Sequence, residues 1–143
     1  MGLTYSPTTI TNLFDPTKVI QCEALVDTGA SYLTLPTAWQ GQLGKLDLIR
    51  QTELLIATQE TVAADVYGPV KVELEGFPPA YTEAVFMEME PADGDYYEPL
   101  IGCLVLEAAG IAVDPKTDRL MKSRALARSA RAVTGRQPVA STV

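Results

Sequence analysis

Ala24-Leu25-Val26-Asp27-Thr28-Gly29-Ala30-Ser31-Tyr32-Leu33-Thr34-Leu35-Pro36 is the stretch on which the fold and the chemistry of this 143-residue chain turn. An apolar run leads into Asp27, and the extended-type run from Tyr32 to Leu35 leaves the loop, so the segment reads as strand, tight loop, strand. A strand end suits a reactive group, because the strand fixes the backbone while the loop beyond it exposes the side chain. Gly29 supplies the freedom for a tight turn and lets another backbone come close, and the β-branch of Thr28 stiffens the loop. The same residues also admit a plainer reading, a surface turn whose aspartate caps its own loop.

Outward from this segment, short stretches rich in Val, Ile, Thr and Tyr recur between Pro and Gly, which predicts an all-β domain with one or two short helices. Strands are expected over residues 3–10 and 19–26, joined at the turn signal Asp15-Pro16-Thr17-Lys18. Pro36-Thr37 opens a short helix through Trp39 and Leu43, closed by Gly44. Residues 46–55 and 61–75 form the arms of a hairpin around Ala57-Thr58-Gln59-Glu60. In its second arm Val70, Val72 and Leu74 alternate with Lys71, Glu73 and Glu75, a period of two that sends one face inward. A strand over 81–87 and an acidic loop over 88–98 follow. Pro99-Leu100-Ile101-Gly102 then leads into a helix from Cys103 to Ala109, ended by Gly110, and Ile111 to Val113 makes a last short strand before the turn at Asp114-Pro115-Lys116-Thr117. Residues 1–121 read as one domain and 122–143 as a basic tail in which Arg124, Arg128 and Arg131 would share a helix face.

Composition narrows the function. With 47% hydrophobic and 20% charged residues the chain can bury a core, and no apolar run reaches the roughly 18 residues of a membrane span, so no membrane partner is expected. Met1 to Pro7 lacks a basic start followed by an apolar core, and a cytoplasmic setting is expected. Cys22 and Cys103 belong to no ligand or redox spacing and read as small buried apolar side chains. The absence of histidine removes the usual base of serine and cysteine hydrolases and the commonest zinc ligand, so hydrolysis here would have to run on carboxylates, without metal or cofactor. Four basic residues against seventeen acidic ones in residues 1–115 repel nucleic acid, and such a function would have to sit in the tail; residues 116–143 carry seven basic residues against Asp118 alone.

The D-T-G triplet after a β-like run, followed by Ala30-Ser31 and answered some seventy residues later by Leu100-Ile101-Gly102 and a short helix, resembles the retropepsin-like, retroviral-type aspartic proteases and their bacterial relatives over residues 4–122. The resemblance implies a closed acid-protease barrel with one lobe per chain, an obligate homodimer, and hydrolysis of peptide bonds at the dimer axis. Asp27 from each subunit would form the catalytic dyad, since the chemistry needs two carboxylates that share a proton and the chain has one such segment. Thr28 would bond across the axis to the partner's loop. Thr28, Gly29, Ala30 and Ser31 would shape the catalytic loop, with Gly102 packed beneath it.

Two positions depart from the common patterns. Arg or Asp often follows the second-motif glycine, where this chain has Cys103 and Leu104. Retroviral members often carry an acid two residues after D-T-G, where this chain has Ser31, so both ends of an Arg to acid pair are missing together. Residues 56–62 hold the place of the flap that closes over the peptide, without the usual glycines. Trp39, Tyr67, Phe86, Tyr96 and Tyr97 are candidates to line subsites or, as packing, the core and loops. A catalytically weak or inactive dimeric peptide-binding module of the same fold is the alternative function.

Overall fold

Strict alternation decides the longest strand. In β5 (Thr61–Leu74) Ala64, Val66, Val70, Val72 and Leu74 are buried while their neighbours stay partly exposed, and each buried Val or Leu contributes about 1.5–3 kcal/mol of burial. The computed structural model describes residues 2–56, 58–91 and 96–123. The tail helix expected through Arg124, Arg128 and Arg131 lies outside the described residues.

The chain is mainly β. Its strands are β1 (Thr4–Asn12), β2 (Asp15–Val26), β3 (Leu33–Pro36), β4 (Asp47–Leu55), β5, β6 (Ala80–Met87), β7 (Leu100–Ile101), β8 (Ile111–Val113) and β9 (Leu120–Lys122). Seven of them form one sheet in the order β1-β2-β7-β3-β6-β5-β4, and the second half of β5 pairs back with β1, so the pairings run in a ring with β4 appended outside. β8 and β9 form a separate two-stranded sheet. The core within the ring is made of Ile10, Leu33, Leu35, Leu43, Ile101 and Val105 with the inward residues of β5, all essentially inaccessible. No helix among the described residues is long and apolar enough to cross a membrane.

Gly44 and Gly110 end the two short helices, as their positions in the sequence predict, at φ 68° and 70°. The first is a 3-10 helix over Thr37–Leu43, and the second is α1 (Cys103–Ala109). The β1–β2 turn falls elsewhere than expected. Asp15 already pairs with Asn12, so the connection is the two residues Leu13-Phe14, and Asp15-Pro16 belongs to the strand. The reason is Asn12, fully buried, whose Oδ1 accepts the Phe14 N–H at 2.8 Å and whose amide donates to Leu43 O at 2.8 Å and Lys45 O at 2.9 Å. One side chain thereby makes the turn and ties the end of the 3-10 helix to β1.

Replacing that hub tests it. Asn12→Leu leaves one N–H and two carbonyls without their partner in a dry site, and urea denaturation should show a loss of about 2–4 kcal/mol. A loss under about 0.5 kcal/mol would mean that the hub carries no structural weight.

Candidate active site

β2 ends at Val26 and β3 begins at Leu33, and the loop between them carries Asp27. The strands on either side of this loop are separated by β7, which pairs in parallel with β2 (Leu25 with Leu100, Val26 with Ile101) and antiparallel with β3 (Thr34 with Leu100). The loop therefore straddles the end of β7, and the chain that follows β7 holds it from below. Asp27 N–H donates to Ile101 O at 3.0 Å, Cys103 N–H to Ala30 O at 2.8 Å, and Leu104 N–H to Ser31 O at 3.0 Å. The last two donors are first-turn amides of α1, groups with no partner inside their own helix, so the loop carbonyls satisfy them.

Gly102 makes this approach feasible. Its φ of −88° suits any residue, so its conformation does not require glycine. A β-carbon there would lie 2.5 Å from Ser31 O and 2.7 Å from the Tyr32 nitrogen, backbone atoms that cannot move aside without moving the loop. Space, not torsion, fixes the residue.

The Asp27 carboxylate is partly exposed, and its Oδ1 accepts the Gly29 N–H at 3.0 Å. Ala30 N–H also donates to Asp27 O at 3.1 Å, closing the turn. The plainer reading of the sequence is thus met in part, since Asp27 does cap its own loop. That bond orients the carboxyl plane, while Oδ2 has no hydrogen-bond partner among the described residues. Thr28, Gly29 and Ser31 are exposed and Ala30 is half-buried. The Thr28 hydroxyl likewise has no partner within the protomer among the described residues.

Asp27 opens onto a cleft of about 560 Å³. Its walls are the loop (Gly29 to Tyr32), the end of β4 with Leu54, Leu55 and Ile56, and the segment after β6 with Met87 to Met89. The end of β4, where the chain enters the β4–β5 turn, is thus one wall of the Asp27 cleft. That turn is closed by Ile56 N–H to Glu60 O and Gln59 N–H to Ile56 O, both 2.9 Å. Gln59 takes φ 71°, a left-handed conformation that glycine would adopt freely and that costs glutamine about 1 kcal/mol.

The five aromatic subsite candidates do not line this cleft. Trp39 packs edge-on against Tyr97 and Tyr67 against Phe86, at centroid distances of 6.0 and 5.8 Å, and Trp39, Tyr67 and Phe86 rest on the core. Tyr96 is exposed. The aromatic residue at the cleft is Tyr32. Its hydroxyl accepts from Arg50 Nη2 at 2.7 Å, and the Arg50 fork grips Glu83 at 2.8 and 2.9 Å. The Glu83 bond first, then that to Tyr32, holds the Arg50 guanidinium more firmly protonated than an ordinary arginine. Sequence reading missed this cluster because its members are 18 and 33 positions apart and follow no period.

Both cysteines are free and half-buried rather than fully buried. Burial first, then the nearby Glu23, pushes the Cys22 thiol up to about 11, so it stays protonated at neutral pH and unreactive. No group of three or more His, Cys, Asp or Glu side chains that could hold a metal occurs among the described residues. No protein-family model matches the chain, and no curated protein matches it either.

The contact beneath the loop is open to test. Gly102→Ala should cost about 1–3 kcal/mol in urea unfolding, since Ser31 and Tyr32 must shift, whereas an unchanged midpoint would show that the loop does not rest on this glycine.

Proposed function

We propose that the chain is one subunit of a homodimeric aspartic endopeptidase, folded as a closed retropepsin-like barrel whose β4–β5 hairpin covers the substrate. The observation that carries the reading is the Asp27 carboxylate itself. It stands on a cleft wall with one oxygen fixed by Gly29 N–H and the other without a hydrogen-bond partner among the described residues, on a D-T-G loop braced from beneath by the Gly102 segment.

One such carboxylate cannot act as both acid and base. Two Asp27 side chains brought together across a subunit axis cannot both ionise cheaply, so the pair keeps one proton. The ionised member takes a proton from a water between them, the water oxygen attacks the peptide carbonyl carbon, and the protonated member gives its proton to the carbonyl oxygen. The tetrahedral diol then collapses: the C–N bond breaks, the leaving nitrogen takes the proton that the first carboxylate drew from water, and a diol hydroxyl gives its proton to the other carboxylate, so the pair again holds one proton. Exposed Thr28 and Gly29 at the loop apex suit a subunit contact, as does Leu104, exposed although its N–H bonds to the loop. The Thr28 hydroxyl, without a hydrogen-bond partner among the described residues, would then bond across the axis.

A second reading keeps the dimer and the cleft without the hydrolysis, as a peptide-binding module. The glycine-free turn at Ile56 to Glu60, held by two backbone bonds, favours it, because a stiff hairpin closes poorly.

Asp27→Asn separates the two. On the endopeptidase reading it lowers hydrolysis of a peptide library by at least about 10²-fold while sedimentation at micromolar concentration still shows a dimer. Survival of the activity, or a strict monomer in the wild type, contradicts the proposal.

A further inference from the structure

The Arg50, Glu83 and Tyr32 cluster joins three elements that chain order keeps apart: the edge strand β4, strand β6 and the exit of the Asp27 loop. Arg50 pairs with Val66 and Val66 with Val85, so the three stand in a row across β4, β5 and β6. Glu83, two residues from Val85, belongs to the same face of the sheet. That face carries a small apolar cluster of Ala64, Val66 and Val85, with Tyr32, Leu54 and Met87 packed against it. Tyr32, Leu54 and Met87 are also walls of the Asp27 cleft. The apolar cluster therefore opens into the cleft on one side, while the tyrosine hydroxyl is held on the other by the guanidinium.

The Arg50–Glu83 pair is itself substantially exposed, with 45% and 30% of the two side chains accessible. Exposed ion pairs add little to folding stability. A bidentate arginine fork is nonetheless a strongly directional group, and here its second nitrogen reaches the tyrosine as well. A tyrosine packed against an apolar cluster and bonded at its hydroxyl is restrained before any ligand arrives, the condition for a selective apolar wall. Glu53 and Glu88 stand at the same cleft, and would repel a carboxylate placed there.

We infer that Tyr32 is the specificity-determining wall of the Asp27 cleft, selecting peptides that present an apolar rather than an acidic side chain to it, and that Arg50 with Glu83 is the positioning pair that sets the ring. This inference rests on the cleft being a peptide site, as proposed above.

The experiment uses the full chain and a peptide library in which each position is varied between Leu, Phe, Ser and Glu. Cleavage is read with wild-type Asp27, and binding with Asp27→Asn, so that a profile is obtained whether or not the chain hydrolyses. Tyr32→Ala should lower the apolar-to-acidic preference by about tenfold, the lower end of what a change in an apolar pocket is worth. Tyr32→Phe and Arg50→Gln should move it in the same direction by less, through KM with kcat held within about twofold, and Arg50→Lys, which keeps the charge without the fork, should restore only part. A structural role alone would move stability and not the ratio. Tyr32→Phe supplies the reading if Tyr32→Ala fails to fold.

A preference that is unchanged in Tyr32→Phe and Arg50→Gln overturns the inference even if the wild type cleaves normally. Tyr32-dependent binding by a chain that cleaves nothing supports it and removes the endopeptidase reading. A chain that neither binds nor cleaves any library peptide overturns both.

Discussion

The missing β-carbon at position 102 is the constraint on which the site depends. Because Gly102 lets the chain after β7 run directly under Ser31 and Tyr32, the first amides of α1 reach Ala30 O and Ser31 O and the Asp27 amide reaches Ile101 O. β7 is only two residues long, yet it fills the gap between the strands that enter and leave the loop. Asp27 thus stands on backbone that is bonded on three sides, and its own Oδ1 is committed to Gly29 N–H. A carboxylate so held loses little orientation when a ligand arrives, which is what positioned acid–base chemistry requires.

Above the loop the architecture is looser by construction. Along one edge β5 serves two neighbours in turn, β4 over its first half and β1 over its second, so the hairpin whose first arm walls the cleft is rooted in the same strand that brings the pairing ring back to β1. β4 itself is an edge strand, paired with β5 alone among the described residues. The Arg50 fork is its tie to β6 and to Tyr32. The Arg50–Glu83 pair thus links the hairpin's first arm to β6 and, through the Tyr32 hydroxyl, to the exit of the Asp27 loop.

Much of this was legible in the sequence, because it is governed by local rules. The period of two in Val70, Val72 and Leu74 identifies the inward face of β5, Gly44 and Gly110 mark helix ends that do take positive φ, and the D-T-G segment does lie in a loop at a strand end beside a cleft. What escaped was governed by distance. The β1–β2 turn was assigned to Asp15-Pro16, whereas buried Asn12, satisfied by carbonyls 31 and 33 residues away, places it at Leu13-Phe14. The insertion of β7 and the return of β5 to β1 are non-local pairings that leave no periodic trace, and β9, though it pairs locally with β8, is only three residues long. Trp39, Tyr67, Phe86 and Tyr97 take the packing role that the sequence also offers them, while Tyr32, which the sequence reading gives no role at the cleft, is one of its walls.

The central claim is that the reacting pair is assembled from two chains, and subunit mixing tests it most directly. Wild-type chains are exchanged with increasing amounts of Asp27→Asn chains, and peptide hydrolysis is measured per wild-type chain. If each site needs an aspartate from both subunits, this specific activity falls in proportion to the wild-type fraction, because mixed dimers are silent. Specific activity that stays constant on dilution with the variant would show that a single chain carries a complete site, and the account would be wrong.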